Sequence, residues 1–258
     1  MALVRHKGDG LEAFMKLALL LSFLFSLSAF GAGRCPTRDE VIEFGKLERE
    51  YNFKAQLDLF RKNNLDIDLC LKHGTSLGWA TQIYGKMWDE GRLDEVNGFI
   101  DFLLKNGANP NLPLAIDSNR PIDELAQVCA TDQVYKLIAH GADFKKPYVK
   151  RPFYTRTILS HVMYCAELAD FFLNKHNMPV LELDACDGLD EAQKIWDPQY
   201  DRDLRDAGFS GLALPVFAKK IKDVYGLDLP LTRVPGHEHP VEKLCFELSE
   251  RDMPAPRN

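Results

Sequence analysis

The sequence lacks most of the short motifs that mark catalytic or cofactor-binding centres. It has no phosphate-binding glycine loop and no H-E-x-x-H zinc motif. Its six cysteines form no C-x-x-C pair and no C-x-x-C-H, which disfavours a zinc knuckle, a thioredoxin-like redox site and covalent haem. The net charge is −6, so the chain also lacks the positive charge expected of a nucleic-acid-binding protein. We therefore expect no catalysis, no bound cofactor or metal, and no nucleic-acid partner.

An apolar run near the amino terminus predicts an export signal. Leu17 to Phe30 follows Lys16, is shorter than the roughly 20 residues that a membrane span needs, and is followed by the small residues Gly31 to Gly33. We expect residues 1–33 to be a signal peptide, with cleavage after the first or the second of these glycines. Met15 is an alternative translation start.

Two other interpretations of this terminus are less favoured. One is an uncleaved membrane anchor. The other is a lipoprotein, but Arg34 directly before Cys35 does not provide the small-residue context that lipidation requires. The expected location is therefore the periplasm or the extracellular medium, with no stable membrane span after cleavage. The absence of an N-x-S/T site fits a bacterial origin.

Four predicted helix ends share one sequence pattern. In "FLLKNGANPN" (Phe102 to Asn111), apolar residues at helical spacing precede Gly107, which suits the left-handed position after a helix, and turn-forming residues follow. About 34 residues later, "KLIAHGADF" (Lys136 to Phe144) repeats the pattern. Asn64 takes the place of the glycine upstream, and His176 takes it downstream. Such a period predicts a stack of helix pairs.

The predicted helix starts repeat as well. Each places a capping or turn residue before an apolar one. They are "GTSLGWA" (Gly74 to Ala80), "NRPIDELA" (Asn119 to Ala126) and "RTILSHVM" (Arg156 to Met163). Thr75 and Thr157 can accept hydrogen bonds from the N–H groups that open a helix, and Pro121 suits the first helical position.

These residues resemble the ankyrin repeat. Its opening motif is matched by Thr75, Leu77, Trp79 and Ala80, and its closing motif by Gly107, Ala108, Asn109 and Asn111. The resemblance covers residues 65–178 and implies an all-α helical stack, or α-solenoid. Residues 34–64 then form an N-terminal helix pair, and residues 179–250 an irregular helical C-terminal cap. We expect residues 251–258 to be a disordered tail.

The sequence departs from the ankyrin motif at several positions. The usual histidine is replaced by Gly78, Asp123 and Ser160, the proline by Ser76 and Ile158, and the threonine by Arg120. We expect these changes to remove hydrogen bonds that tie neighbouring turns together. Residues 83–98 lengthen the first repeat, and we expect an extended loop there.

Further on, residues 210–226 have the apolar spacing of an amphipathic helix, with Val216, Phe217, Ile221 and Val224 on the apolar side and Gly226 at the end.

The cysteines allow up to three disulfides in an oxidising compartment, with undetermined connectivity. They are Cys35, Cys70, Cys129, Cys165, Cys186 and Cys245. Cys129 and Cys165 occupy matching places in adjacent repeats, where stacked helices lie about 10 Å apart, beyond the roughly 7 Å limit on the Cα separation of a disulfide. We therefore expect this pair to be unlinked, and buried free thiols remain an alternative for all six.

A basic segment between the second and third repeats is the candidate binding site. In residues 143–156 positive charges and aromatic rings alternate, which is typical of protein interfaces. The candidate partner-binding residues are Lys145, Lys146, Tyr148, Lys150, Arg151, Phe153 and Tyr154. One alternative is a solvated turn whose aromatic rings pack on the next repeat. Another is that the acidic residues 182–206 fold back on this segment.

The sequence therefore predicts an exported ankyrin-repeat protein that binds another protein, of unknown identity, through its turns and first helices. Catalysis has no part in this function. The alternative is a small metal-dependent enzyme that uses His237 and His239, which flank Glu238 in a loop between two prolines.

Overall fold

The computed structural model describes most of the chain between residues 33 and 231. The described residues are 33–69, 75–114, 119–146, 148–151, 154–180, 186, 189–190, 197–226, 228–231, 243 and 245–246. This part of the chain is mostly helical, as the sequence predicts. The chain divides into two compact units, residues 1–70 and residues 71–258.

In the first unit, two helices pack against each other. They are α1 (Arg38–Arg49) and α2 (Phe53–Asn63). Thr37 caps α1 through a reciprocal pair of hydrogen bonds with Glu40. The rings of Phe44 and Phe60 meet edge to face, with centroids 4.8 Å apart, and join the two helices. α2 ends at Asn64, which has the left-handed φ of 46° predicted for this position.

In the second unit, the described residues form further helices and a β-hairpin. The helices are α3 (Ser76–Gln82), α4 (Tyr84–Asp89), α5 (Leu93–Lys105), α6 (Pro121–Gln127), α7 (Thr131–Ala139), α8 (Ala166–Asp170), α9 (Pro198–Asp206) and α10 (Leu214–Tyr225). The hairpin consists of β1 (Tyr148–Arg151) and β2 (Tyr154–Arg156). A 3₁₀ helix (Ile158–His161) opens the third helix pair, and α8 continues directly into a π-helical turn (Phe171–Lys175).

The first helices of successive pairs contact one another. α3 contacts both α5 and α6, and α6 contacts both α7 and the 3₁₀ helix. Thr75 and Thr157 cap their helices as predicted, and Pro121 occupies the first turn of α6. The core of this unit is built from side chains that are at most 1% exposed. They include Leu77, Ile100, Leu125, Leu137 and Leu159.

Three of the four predicted helix ends have the expected left-handed residue, and the fourth is displaced. Gly107 has φ 86° and Gly141 has φ 93°. The prediction for His176 is wrong, because its φ is −102° and the left-handed residue is Asn177 with φ 47°. The N–H of His176 donates to the carbonyl of Phe171, five residues earlier, at 3.0 Å. This π turn contains one extra residue, which shifts the left-handed position by one.

The lengthened first pair does not contain the extended loop that we predicted for residues 83–98. Helix α4 follows α3 almost directly, and α5 begins at Leu93. Tyr84 and Met87 of α4 are buried, and Trp88 stacks against Phe209 with ring centroids 5.1 Å apart and planes 8° from parallel. Burial of these side chains stabilises a helix where a loop would leave them in solvent.

The prediction that Cys129 and Cys165 are unlinked is also wrong. They form a disulfide with their Cα atoms 5.2 Å apart. The helix-stack distance does not apply because both cysteines lie outside the helices. Cys129 follows the end of α6 and has a left-handed φ of 53°, and Cys165 directly precedes α8. A second disulfide joins Cys186 to Cys245, and Cys35 is also disulfide-bonded.

A short stretch that we name the C-terminal strap (residues 208–213) crosses the loops that follow the first helices. Its Phe209 stacks on Trp88 of the first helix pair. Its Ser210 places the hydroxyl oxygen 3.3 Å from Sγ of Cys165 in the third pair. The strap therefore contacts helix pairs that are not neighbours in sequence.

Helix α10 follows the strap and confirms the predicted amphipathic helix. It ends at Gly226, which has a left-handed φ of 69°. Phe217 and Ile221 are fully buried, and α10 contacts α8 and the π turn. Val224 does not share this apolar face, because it lies in the last turn of the helix and is 55% exposed.

Candidate interaction surface

The basic segment begins in the turn after α7. Lys145 and Lys146 are both exposed there, and the carboxylate of Asp143 accepts their backbone N–H groups at 3.1 Å each. Asn109 occupies the corresponding place after α5, where its side-chain oxygen accepts the N–H of Asn111 at 3.0 Å. The two turns therefore share a side-chain-to-backbone hydrogen bond, and in the second turn it directs two lysines into solvent.

The chain then forms the β-hairpin. Tyr148 pairs with Arg156, Val149 with Thr155 and Arg151 with Tyr154, with an irregularity between Val149 and Arg151. The backbone of four predicted binding residues lies in this hairpin. They are Tyr148, Lys150, Arg151 and Tyr154. Phe153 lies outside the described residues. Only Pro147 lies between the hairpin and the turn that carries Lys145 and Lys146, so the six described residues belong to one short, continuous segment of the chain.

A buried ion pair at the start of α6 holds the lysine-bearing turn in place. The guanidinium of Arg120 donates two hydrogen bonds to the carboxylate of Asp123, at 2.8 Å and 3.0 Å. It also donates to the carbonyl of Asp143 at 2.8 Å and to that of Lys146 at 2.7 Å. Asp123 is 0% exposed and Arg120 is 7% exposed. One side chain therefore fixes both ends of the turn that displays the lysines.

This arrangement corrects our expectation that Arg120 and Asp123 weaken the connection between turns. The two residues replace the threonine and histidine of the ankyrin motif, but they supply charge-assisted hydrogen bonds of their own. This supporting role was not predicted from the sequence. An arginine and an aspartate three positions apart at a helix start are the signal that could have found it.

Neighbouring turns are also linked directly. The side-chain amide of Asn111 donates to the carbonyl of Gly141 at 3.0 Å, and its oxygen accepts the N–H of Asp143 at 2.7 Å. Further back, the hydroxyl of Thr75 donates to the carbonyl of Leu112 at 3.3 Å. These bonds hold the two turns side by side, so the surface that they present is preorganised.

Aromatic packing anchors the same turn on its other side. Phe144 is 8% exposed and lies against Phe172 and His176, with centroids 5.2 Å and 5.0 Å away. The ammonium of Lys145 lies 5.8 Å from the ring centre of Phe144. The aromatic ring at the start of the basic segment therefore packs on the third helix pair, as one of the alternatives predicted.

Three carboxylates of α7 and α8 lie near the Tyr135 side chain. Burial raises the pKa of Tyr135, and the nearby carboxylates of Glu167, Asp132 and Asp170 raise it further. The Tyr135 hydroxyl lies 3.4 Å from a carboxylate oxygen of Glu167. These three carboxylates thus place negative charge around Tyr135.

The acidic residues 182–206 are described only in part. In α9, Asp201 accepts the backbone N–H of Leu212 at 2.9 Å and pairs with Arg205 at 3.1 Å. These contacts tie α9 to the strap. The described residues therefore give no support to the alternative that this segment covers the basic one.

One stretch of the sequence matches the motif that carries the catalytic serine of serine hydrolases. Gly74 to Gly78 fits the G-x-S-x-G pattern of serine hydrolases, in which the serine is exposed on a sharp turn between strand and helix. Ser76 instead lies in the first turn of α3 and is 0% exposed, and its hydroxyl has no hydrogen-bond partner among the described residues. Because no substrate can reach it, Ser76 is a core residue.

The described residues contain no group of three or more side chains that could hold a metal ion. His237, Glu238 and His239 lie outside them. None of the helices in that same part of the chain combines the length and apolar character needed to cross a bilayer.

Comparison with known proteins does not identify a family. No family model matches the sequence, and neither the curated proteins nor the solved structures include a significant match.

Proposed function

We propose that this chain is an exported ankyrin-repeat protein that binds another protein through the turn and hairpin of residues 143–156. First helices on the same side contribute to the surface, and binding involves no chemical reaction. The observation that carries the proposal is that the buried Arg120 donates hydrogen bonds to both ends of the lysine-bearing turn. A turn held rigidly before binding loses less conformational entropy when a partner arrives.

Two further features support the proposal. The Asn111 bridge and the contacts between successive first helices fit a stack of ankyrin-like units. The disulfides Cys129–Cys165 and Cys186–Cys245 fit an oxidising compartment, which agrees with an export signal in residues 1–33. The charge of the segment favours a partner with an acidic surface.

Affinity capture from the exported fraction tests the proposal. The wild type is compared with a triple variant in which Lys146, Lys150 and Arg151 are changed to Glu. A matched control changes Lys105, Lys175 and Lys219, three exposed lysines elsewhere in the unit, to Glu. We expect the first variant to lose the partner and the control to keep it. Equal retention by both variants would rule out this surface.

Salt dependence provides a second criterion. At roughly 1 M salt, charges are screened beyond about 3 Å, so a partner held by the basic segment should be released. A partner that remains bound at this salt concentration and survives the triple substitution binds elsewhere.

A further inference from the structure

The two cysteines of the Cys129–Cys165 disulfide differ in their exposure to solvent. Cys165 is 0% exposed, whereas Cys129 keeps part of its surface in solvent. Exchange with an external thiol requires attack by a thiolate on one sulfur, and the other sulfur then leaves. Access therefore makes Cys129 the sulfur that is attacked and Cys165 the one that leaves.

Two hydroxyl groups lie beside the disulfide, and both are nearer to the sulfur that would leave: Ser210 and Thr131 are 3.7 Å and 3.9 Å from Sγ of Cys129. The hydroxyl oxygen of Ser210 is 3.3 Å from Sγ of Cys165, and that of Thr131 is 3.6 Å away. A sulfur in a disulfide carries no hydrogen, so in its contact the Ser210 hydroxyl is the donor. The Thr131 hydroxyl donates to the carbonyl of Cys129 at 3.4 Å, and it can turn to the sulfur once that sulfur carries charge. The same Ser210 oxygen accepts the backbone N–H of Glu167 at 2.9 Å, which orients its own hydrogen toward the sulfur.

The strap holds Ser210 in this position. The carbonyl of Gly211 accepts the N–H of Ala166 at 3.1 Å, and the N–H of Ala213 donates to the carbonyl of Met163 at 2.9 Å. The hydroxyl is thus fixed beside the disulfide before any reaction. Donors arranged in advance around a developing negative charge stabilise it without reorganisation.

The backbone at Cys129 favours opening of the bond as well. Its φ of 53° lies in the left-handed region, where a side chain with a Cβ is strained. The cross-link and the turn together hold this conformation, and cleavage of the cross-link removes one of these constraints.

We propose that the Cys129–Cys165 disulfide is a thiol–disulfide exchange site for low-molecular-weight thiols. A thiolate attacks Sγ of Cys129 and forms a mixed disulfide. The bond to Cys165 breaks, and its electron pair stays on Cys165 as a thiolate that accepts hydrogen bonds from Ser210 and Thr131. A second small thiolate attacks the thiol-derived sulfur of the mixed disulfide. That step releases the oxidised small disulfide and leaves Cys129 reduced, so two thiols supply the two electrons. This proposal does not depend on the binding function.

The full chain treated with reduced glutathione tests the proposal. Samples are quenched with acid, alkylated, digested and analysed by mass spectrometry, while circular dichroism monitors the helices. We expect the first product to carry glutathione on Cys129 and an alkylated thiol on Cys165, with the helical signal unchanged. Glutathione on Cys165 first, or opening only together with loss of the helical signal, would overturn the proposal.

Substitution of the hydroxyl tests its role in the same assay. Ser210→Ala removes the nearest donor, and we expect the first step to slow by about threefold or more, since a less stabilised thiolate departs more slowly. Ser160→Ala is the matched control, because that hydroxyl donates to the carbonyl of Thr157 at 3.0 Å within the same helix pair. Equal rates for both variants would refute the role of Ser210. If Ser210→Ala fails to fold, the site of glutathione addition in the wild type still decides the proposal.

Discussion

Arg120→Ala should destabilise the second unit far more than an ordinary surface substitution. The change removes four hydrogen bonds made by one guanidinium, at 2.8 Å and 3.0 Å to Asp123 and at 2.8 Å and 2.7 Å to the carbonyls of Asp143 and Lys146. It leaves the carboxylate of Asp123, whose side chain is 0% exposed, buried without a counter-charge. Breaking a buried pair from one side costs about 3–5 kcal/mol.

Urea unfolding followed by circular dichroism measures this loss. The midpoint should fall while the slope stays unchanged, since the surface exposed on unfolding is the same. In a thermal scan, the same loss corresponds to a midpoint about 6–20 °C lower for a domain of this size.

An exposed pair with similar geometry provides the control. Arg92 donates to Glu95 at 2.9 Å and 2.8 Å with the same three-residue spacing, but these side chains are 30% and 53% exposed. Arg92→Ala should therefore cost less than about 1 kcal/mol. The double variant Arg120→Met with Asp123→Leu should recover part of the loss, because no buried charge remains. If Arg120→Ala costs no more than Arg92→Ala, the buried pair does not stabilise the turn.

Two other predictions concern local features. Gly78→Ala should destabilise by about 1–3 kcal/mol, since its Cβ would lie 2.5 Å from a backbone nitrogen in the loop after α5. Gly98→Ala, an exposed control in α5 with open space around it, should stabilise by up to about 1 kcal/mol in the same denaturation assay. An NMR titration should place the pKa of Glu40 at about 2, below its ordinary 4.5, because Arg34 donates hydrogen bonds to it. The pair stabilises the fold above pH 4.5, and its contribution is lost as the pH falls toward 2. Arg34→Gln should reduce that loss, and the remainder comes from the hydrogen bonds of Thr37.

The turns were predictable from sequence because left-handed positions strongly select their residues. Asn64, Gly107 and Gly141 carry this preference openly, and the structure confirms all three. The left-handed position predicted at His176 was wrong because the π turn before it depends on tertiary packing, which the local sequence pattern does not show. For the same reason, the helical state of residues 84–89 follows from packing against a strap that is distant in sequence.

The candidate surface could be predicted only in part from the sequence. The alternation of charges and rings singled out residues 143–156, and the structure joins the described part into one turn and hairpin. The residues that support it were not predicted, because Arg120 and Asp123 replace motif residues whose hydrogen bonds we expected to be lost. The two residues make hydrogen bonds of a different kind, and comparison of residue types alone does not detect them. The disulfide was mispredicted because Cys129 lies in a loop, where helix spacing does not apply.

The stacking of Phe209 on Trp88 affects how the second unit unfolds. In an array whose members touch only adjacent members, the ends can peel away while the middle stays intact. Here the last segment is fastened to the first helix pair as well as to the third, so detaching it exposes apolar rings at both places. We expect this unit to melt in a single cooperative step, and truncation at residue 207 should weaken the first helix pair as well as the third.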